Sequence, residues 1–319
     1  MITTVRLYDN DYYQSILILY NDDIIEWTLE GILCPENYQD NVMEKAEQIK
    51  AIGELVEFDG HKIHVYRTGE SDKPKLVFMS GSSTVAPAYD FKILYEKLQK
   101  DFRIIVVEKF GYGYSDIFEA PCDIDYLVNI QRTALNKLGE TGPYILLPHS
   151  MGGIEAIRWI QLYPEEIRGL IGIDMTSPVA YAEWTDSDVK SRTRTMRILK
   201  KLRLYGLSTI PHNSAMTEND MRQVKLLRKR NAFNECYFRE AEKILQNASY
   251  VGGHGTIHCP ALLFCSNGKQ TFRNWIRNQN TFAKQINAEL ICYDCGHYMH
   301  YYKSDDMSEK IRHFIESLE

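Results

Sequence analysis

The sequence predicts an α/β fold whose sheet is mostly parallel, with an inserted helical segment and a small N-terminal extension. From residue 54 onward, short apolar runs alternate with stretches of helical period. Strands that are apolar throughout are typical of a parallel sheet covered by helices on both faces. The alternation stops near residue 178 and resumes near residue 261, which indicates an insertion between two strands of one sheet.

The individual strands follow from local patterns. Leu55–Phe58 and Lys62–Tyr66 flank Asp59-Gly60, a two-residue turn that predicts a β-hairpin at one edge of the sheet. Helices are predicted around residues 91–98 and 124–138, directly after Ser150 and at the C-terminal end. The strands expected to be buried are Lys75–Met79, Phe102–Val107, Tyr144–Leu147, Leu170–Ile173, Ala261–Phe264 and Glu289–Cys292.

The chain is predicted to consist of three parts. Residues 51–177 and 259–319 form the α/β core, residues 178–258 form a helical lid or cap, and residues 1–50 form the N-terminal extension. An insertion between two sheet strands lies over the carboxyl edge of the sheet, where open α/β folds bind ligands.

The N-terminal extension has no decisive pattern. Val5–Trp27 fits either short strands that turn at Asp9-Asn10 and Asp22-Asp23 or one tyrosine-rich helix, and both interpretations stay open. Residues 40–52 are polar and are predicted to be helical. A packing or assembly role is expected for this part of the chain.

The composition is that of an ordinary folded protein. The chain has 319 residues, 44% of them hydrophobic and 25% charged, so it can bury a full core. A net charge of −6 argues against nucleic acid or an acidic membrane as the partner of the whole protein. Seven cysteines argue against a disulfide framework in a chain of this length. No secretory signal is recognised and the early apolar run Ile16–Tyr20 is too short for a membrane span, so we expect a cytoplasmic protein.

The chemistry is expected where the strand Tyr144–Leu147 meets the next helix. Residues 148–153 read PHSMGG, and a strand–turn–helix context of this kind is what a nucleophile elbow requires. The elbow strains the backbone of the nucleophile and lifts its side chain above the sheet, at a helix N-terminus. It needs compact residues two positions before and after the nucleophile, and these are Pro148 and Gly152. Ser150 is therefore the predicted nucleophile, and a tight turn with a passive serine is the alternative.

Residues 54–319 resemble the α/β-hydrolase family. FGYGYSD at residues 110–116 is similar to the family's G-x-G-x-S turn, and SGSS at residues 80–83 stands where the family usually carries His-Gly and its oxyanion loop. Cys295-Gly296-His297 is similar to the family's Gly-His near the C-terminus. The resemblance implies a serine hydrolase with a helical lid and no cofactor. It is a poor guide to the substrate, because this fold hosts many chemistries.

His297 is the predicted general base. It follows the last strand and precedes the last helix, which agrees with the chain order serine, acid, histidine of this fold. His300 is the competing candidate, and His149 is expected to point away from the nucleophile beside it. Surface or packing roles are expected for the other histidines, which are His64, His212, His254, His258 and His313.

The oxyanion hole is predicted to use two backbone amides. Met151 follows the nucleophile at the start of a helix, and Ser82 lies in the loop after the strand Lys75–Met79. This chain has Ser80-Gly81 where the family usually has His-Gly. The difference leaves both backbone amides in place, although it changes the side chain that supports the loop.

The acid is the least determined residue of the triad. The resemblance places it after the strand Ala261–Phe264, but residues 265–270 read CSNGKQ and contain no carboxylate. Asp174 ends the preceding strand, where some family members carry their acid, and is the predicted acid. A structural strand-end role for Asp174 is the alternative. Asn267, orienting the imidazole as a neutral amide, is the competing candidate.

The predicted lid is rich in positive charge. Between Lys190 and Arg230 there are twelve lysines or arginines and two acids, Glu218 and Asp220. This favours a solvated helical face, with an anionic substrate or partner as the alternative. Apolar residues of the lid are expected to cover the active site, so that the substrate carries an apolar portion; they are Leu199, Leu202, Leu204, Leu207 and Ile210.

No metal or cofactor is predicted. Cys292 and Cys295 form a C-x-x-C, but positions i and i+3 of a strand face opposite sides, which disfavours a metal or redox pair. The turn Gly111–Gly113 lacks the third glycine of a dinucleotide fingerprint. The pattern gives no indication of the oligomeric state.

Together these residues predict hydrolysis of a carboxylic ester or related acyl compound. Ser150 attacks, His297 accepts and returns the proton, and water hydrolyses the acyl-enzyme. Amide or C–C cleavage is an alternative chemistry of the fold, whereas dehalogenases and epoxide hydrolases need aspartate where Ser150 stands. The alternative from another functional class is a ligand-binding or receptor-like protein with little turnover. Pro148 and the unusual position of the acid are compatible with this alternative.

Overall fold

The computed structural model describes residues 2–10, 13–20, 23–28, 49–201, 214–271 and 273–318. Its strands are β1 (Ile2–Asn10), β2 (Tyr13–Tyr20), β3 (Asp23–Thr28), β4 (Glu54–Phe58), β5 (His61–Thr68), β6 (Lys75–Met79), β7 (Arg103–Glu108), β8 (Tyr144–Pro148), β9 (Ile167–Ile173), β10 (Ala261–Cys265) and β11 (Glu289–Cys292). Its helices are α1 (Pro87–Asp90), α2 (Lys92–Leu98), α3 (Ile124–Lys137), α4 (Gly152–Leu162), α5 (Pro178–Tyr181), α6 (Asp186–Lys201), α7 (Glu218–Asn231), α8 (Glu235–Gly253), α9 (Trp275–Gln285) and α10 (His300–Glu316).

The main sheet has eight strands in the order β11-β10-β9-β8-β6-β7-β5-β4. The pairs from β11 to β7 are parallel, and the two pairs that involve β5 are antiparallel. This confirms the predicted fold class, including the hairpin at one edge. The chain runs from β6 to β7 on one side and then returns to β8 on the other. The carboxyl ends of β6 and β8 therefore form a topological switch point, where open α/β sheets bind ligands.

Both faces of the sheet are buried. On β6, Leu76 and Phe78 belong to the apolar cluster that includes residues of α2 and α10. Val77 and Met79 belong to the opposite cluster, which includes residues of α3 and α4. Because successive side chains of a strand point to opposite faces, burial on both sides requires the uninterrupted apolar runs seen in the sequence.

The N-terminal segment forms a three-stranded antiparallel sheet in the order β1-β2-β3. Of the two interpretations left open for Val5–Trp27, strands are the one observed. Isoleucine is frequent in β2 and β3, and β-branched residues fit a pleated surface. The predicted helix at residues 40–52 is not observed in its described part, since residues 49–52 are not helical; residues 40–48 lie outside the described residues.

The chain between β9 and β10 contains helices and no strand in the residues that the structure describes. A capping box between Thr217 and Asp220 begins α7, and the Asn234 side chain accepts from two amides at the start of α8. Leu199 of α6 is buried against Phe233 and Phe238. The other apolar residues assigned to the lid, Leu202, Leu204, Leu207 and Ile210, lie outside the described residues. The division into a core and a lid stays a prediction.

In the described ranges, no helix has the length and apolar character needed to cross a membrane.

Candidate active site

Ser150 lies in the sharp turn between β8 and α4. Its φ is +50°, a left-handed conformation that a residue with a side chain rarely adopts. Strand β8 ends at Pro148, which pairs with Met79 of β6 at the end of the ladder. Compact Pro148 thus closes the strand where the turn begins. The strained serine stands at the N-terminus of α4, the geometry expected of a nucleophile elbow.

Two glycines allow this turn to close. A Cβ atom on Gly152 would lie 2.9 Å from the Met79 carbonyl oxygen, and one on Gly153 would lie 2.1 Å from the carbonyl oxygen of Thr176. Both obstacles are backbone atoms, which cannot move aside as a flexible side chain would. The Thr176 amide also donates to the carbonyl oxygen of Ser150 at 2.8 Å. The sequence indicated the need for Gly152; the tighter constraint on Gly153 is a property of the fold.

Asp174 and His297 meet at the carboxyl edge of the sheet. Asp174 follows β9, is fully buried and has a φ of +45°. Its Oδ2 atom lies 2.6 Å from Nδ1 of His297. Its Oδ1 atom accepts from the Ser266 amide at 2.8 Å and from Nε1 of Trp275 at 2.7 Å. An ionised carboxylate only accepts hydrogen bonds, so it holds the imidazole with the proton on Nδ1 and leaves Nε2 able to accept another.

The loop between β11 and α10 carries His297. Its backbone amide donates to Oε1 of Gln270 at 3.1 Å, and its ring stands edge-on to Trp275 with centroids 6.0 Å apart. Gly296 permits this approach, because a Cβ there would lie 2.4 Å from Oε1 of Gln270. The sequence analysis did not identify Gln270 or Trp275 as supports of this loop.

The two competing candidates lie elsewhere in the site. His300 is fully buried, with Nε2 at 3.4 Å from Oδ2 of Asp90 on α1. The Asn267 side chain donates to Oδ1 of Asp294 at 3.0 Å and accepts from the Lys269 amide at 3.1 Å. Geometry therefore favours Asp174 as the partner of the imidazole, while its catalytic role stays a prediction.

The loop after β6 lies against the elbow. A Cβ on Gly81 would be 2.6 Å from Cβ of Ser150, so this loop backbone touches the predicted nucleophile. Met151 precedes the first residue of α4, where the amides of a helix N-terminus point outward. Among the described residues, the amides of Met151 and Ser82 have no hydrogen-bond acceptor. Both are therefore available as donors.

His149 directly precedes the predicted nucleophile, and its side chain lies in the interior. Its ring is buried next to the rings of His297 and His300, with centroid distances of 4.6 and 5.4 Å. Burial lowers the pKa of His149 well below its ordinary value, and the neighbouring His297 and His300 add to this effect. The neutral ring holds its Nε2 atom 3.3 Å from the carbonyl oxygen of His297, so it can donate a hydrogen bond that braces the histidine loop.

This buried imidazole makes the free energy of unfolding depend on pH. Below about pH 6.5 the unfolded chain binds a proton at His149 that the native state does not, so stability falls as the pH falls. A single group of this kind contributes a slope of up to about 1.4 kcal/mol per pH unit. We expect His149→Gln, which keeps an N–H donor but does not titrate, to reduce the slope between about pH 6.5 and pH 5 in urea unfolding. An unchanged slope in this variant would contradict the prediction.

Comparison with known proteins identifies the family. A model of the family described as alpha/beta hydrolase fold matches residues 79–304, more than half of the chain. The chain belongs to the α/β-hydrolase fold family. It is also 36% identical over 226 residues to the uncharacterized protein YbdG of Bacillus subtilis (strain 168), a match that covers 68% of each chain.

Solved structures share the fold of this α/β hydrolase. A haloalkane dehalogenase loop variant from Bradyrhizobium elkanii has 17% identity and a TM-score of 0.63, and the match covers 83% of this chain and 96% of the other. A thermophilic esterase from Thermogutta terrifontis has 20% identity and a TM-score of 0.62, with coverage of 83% and 99%. At such identities the likeness concerns the fold alone.

Proposed function

We propose that this α/β hydrolase cleaves a carboxylic ester or related acyl compound, with Ser150 as nucleophile, His297 as general base and Asp174 as the acid. The observation that carries the proposal is the 2.6 Å contact between Nδ1 of His297 and Oδ2 of buried Asp174. Ser150, in the turn between β8 and α4, has the φ of +50° expected of a nucleophile elbow. An imidazole held in this way has the tautomer needed to take a proton from serine.

The proposed reaction has two steps. In the first, the Ser150 oxygen attacks the acyl carbon while Nε2 of His297 takes the hydroxyl proton and then returns it to the leaving alcohol. In the second, water attacks the acyl-enzyme and gives its proton to the same nitrogen, and Ser150 leaves with that proton. The amides of Met151 and Ser82 are proposed to stabilise the oxyanion formed in each step. Asp174 keeps the imidazole oriented and stabilises its protonated form.

The nucleophile favours this chemistry over other reactions of the fold. The dehalogenase and epoxide-hydrolase mechanisms need an aspartate at the elbow, where this chain carries Ser150. Asp174 does not substitute for it, because both of its oxygens are engaged by His297, Ser266 and Trp275. A serine with an acid-supported histidine fits acyl transfer.

We further propose that helices α5–α8 act as the lid over this site. Helix α8 supplies Tyr237, whose side chain is close to that of Ser82. Aromatic and apolar residues on this part of the chain include Tyr181, Trp184 and Phe238. A lid with such residues favours an acyl or alcohol group with an apolar portion.

A fluorophosphonate probe tests the nucleophile and the base together. We expect wild-type protein to be labelled on Ser150, because an activated serine reacts where ordinary serines do not. His297→Ala should abolish labelling on the same time scale, since no base removes the hydroxyl proton. Mass spectrometry of the digested protein locates the adduct, and p-nitrophenyl esters of graded chain length measure turnover.

His300→Gln is the matched control, since His300 is buried beside the same loop but contacts Asp90. It should label and turn over at rates close to wild type. Equal loss in both histidine variants would contradict the choice of His297. A folded wild-type protein without adduct or turnover would favour a ligand-binding role.

A further inference from the structure

A cluster of charged and polar side chains is buried behind the predicted oxyanion loop. Lys109 and Tyr112 lie in the turn after β7, Glu155 lies on α4 and Glu240 lies on α8. Each is at most 5% exposed. The cluster thus joins the helix that follows the nucleophile to a helix of the proposed lid.

The cluster is held by charge-assisted hydrogen bonds. Nζ of Lys109 donates to Oε1 of Glu155 at 2.7 Å and also donates to Oε1 of Glu240. Nε2 of Gln131 donates to the second oxygen of Glu155 at 2.5 Å. Burial acts to lower the pKa of Lys109, but the two carboxylates outweigh it and raise that pKa, so the ammonium stays charged. Burial raises the pKa of Glu155 against the opposing effect of Lys109.

Tyr112 connects this cluster to the oxyanion loop. Its hydroxyl donates to Oε2 of Glu240, and its oxygen accepts from the backbone amide of Ser83 at 3.1 Å. Burial, strengthened by the Glu240 carboxylate, raises the pKa of Tyr112 well above its ordinary value. The hydroxyl therefore stays protonated, and its single proton forms the hydrogen bond to Glu240. A fixed hydroxyl of this kind presents its lone pair to the Ser83 amide.

The conformation of the loop depends on such a contact. Ser83 has a φ of +57°, which is strained for a residue with a side chain. It directly follows Ser82, whose amide is the proposed oxyanion donor, and Gly81 touches Cβ of Ser150. A shift at Ser83 therefore moves the Ser82 donor relative to the nucleophile.

Helix α8 is itself fixed on the turn that holds Tyr112. Nδ2 of Asn234, which caps α8, donates to the Gly111 carbonyl oxygen at 2.7 Å. A Cβ on Gly111, whose φ is +83°, would lie 2.6 Å from Cβ of Cys236. The start of α8 therefore packs directly against the backbone of this turn. This packing fixes the position of Glu240 relative to Tyr112.

We propose that Tyr112, oriented by Glu240 of α8, is a positioning residue that sets the Ser82 amide of the oxyanion hole. The inference rests on the proposed function, because it concerns stabilisation of the same oxyanion. Buried ion clusters add little net stability compared with apolar residues of the same volume, so support of the fold alone does not account for the link to Ser83.

Tyr112→Phe tests the inference by removing one oxygen atom. A misplaced donor acts mainly in the transition state, so kcat for a p-nitrophenyl ester should fall about 10-fold to 100-fold while KM changes less than about twofold. The inhibition constant of an alkylboronic acid, which forms a tetrahedral adduct on serine, should rise in parallel with the fall in kcat. The Ser83 amide should exchange its hydrogen faster, as measured by NMR, whether or not the protein turns over.

Tyr114→Phe is the matched control. Tyr114 lies two residues on in the same turn, is also buried and bonds the Tyr89 hydroxyl at 2.7 Å. It should lose stability like Tyr112→Phe but keep kcat, boronate inhibition and Ser83 exchange within about twofold of wild type. Glu240→Gln keeps an acceptor for the Tyr112 hydroxyl and should lose less kcat than Tyr112→Phe.

The possible outcomes distinguish the positioning role of Tyr112 from the proposed hydrolase function. Normal wild-type hydrolysis with the same kcat in Tyr112→Phe and Tyr114→Phe would overturn this inference alone. A larger loss in Glu240→Gln than in Tyr112→Phe would assign the effect to the charge pair with Lys109 and would also overturn it. A wild-type protein that neither hydrolyses esters nor reacts with the fluorophosphonate would overturn the proposed function, and with it the catalytic meaning of Tyr112.

Discussion

Replacement of Ser150 by alanine is expected to lower kcat for ester hydrolysis by as much as about 10⁶-fold, the loss seen when a triad that acts as a unit loses its nucleophile. Ser150 supplies the oxygen that bonds the acyl carbon, and no other described serine lies on the elbow. The fold should survive, because the change removes only one oxygen. Progress curves with a p-nitrophenyl ester and circular dichroism check the two parts of this expectation.

Ser177→Ala is the control for this experiment. Ser177 is buried and precedes α5, and its side chain makes no capping hydrogen bond to that helix. Its kcat should stay within a few-fold of wild type. If Ser150→Ala retains more than about one hundredth of wild-type kcat, Ser150 is not the covalent nucleophile, because residual catalysis by binding and oxyanion stabilisation alone is far weaker.

Replacement of Asp174 by asparagine is expected to lower kcat by about 10⁴-fold with little change in KM. An amide at this position can still accept from Trp275 and Ser266 through its oxygen. Its NH₂ group then faces Nδ1 of His297 and favours the tautomer with the proton on Nε2, which cannot accept the serine proton. The negative charge that stabilises the imidazolium is lost as well. Steady-state kinetics over a range of ester concentrations separates kcat from KM.

Asn267→Ala is the matched control, because Asn267 follows the neighbouring strand at the same edge but bonds Asp294 and the Lys269 amide. It should lower kcat by less than about tenfold. Comparable losses in the two variants would argue against Asp174 as the triad acid. A near-normal kcat in Asp174→Asn would mean that Asp174 has only a structural role, as a buried hydrogen-bond acceptor at the end of a strand.

The fold could be predicted from the sequence because its determinants are local. The hairpin follows from two adjoining apolar stretches around Asp59-Gly60, and the turn has φ of +50° and +77° at these residues. The parallel strands follow from apolar runs that only burial on both faces explains. At the N-terminus, tyrosines, isoleucines and polar residues fit two periods equally well, so the pattern alone could not choose strands over a helix.

The candidate site was predictable where its residues are neighbours in the chain. Ser150, Met151 and Gly152 lie in one turn, and a strand before them and a helix after them are enough to indicate an elbow. The supports of the site were not predictable in this way. Lys109 meets Glu155 and Glu240 at sequence separations of 46 and 131 residues, and none of the three stands in a pattern that marks it as paired.

By itself, the sequence determined the α/β fold and the strand–turn–helix at Ser150. It also predicted His297 as the general base, from its place between the last strand and the last helix. It left Asp174 and Asn267 open, because both follow strands that end at the same edge. The tertiary structure decides which of them reaches the imidazole: Asp174 Oδ2 lies 2.6 Å from His297 Nδ1, whereas Asn267 turns to Asp294. The physical reason is that contacts between loops depend on strand order and on side-chain direction. Both arise from packing over the whole sheet, and no local pattern encodes them.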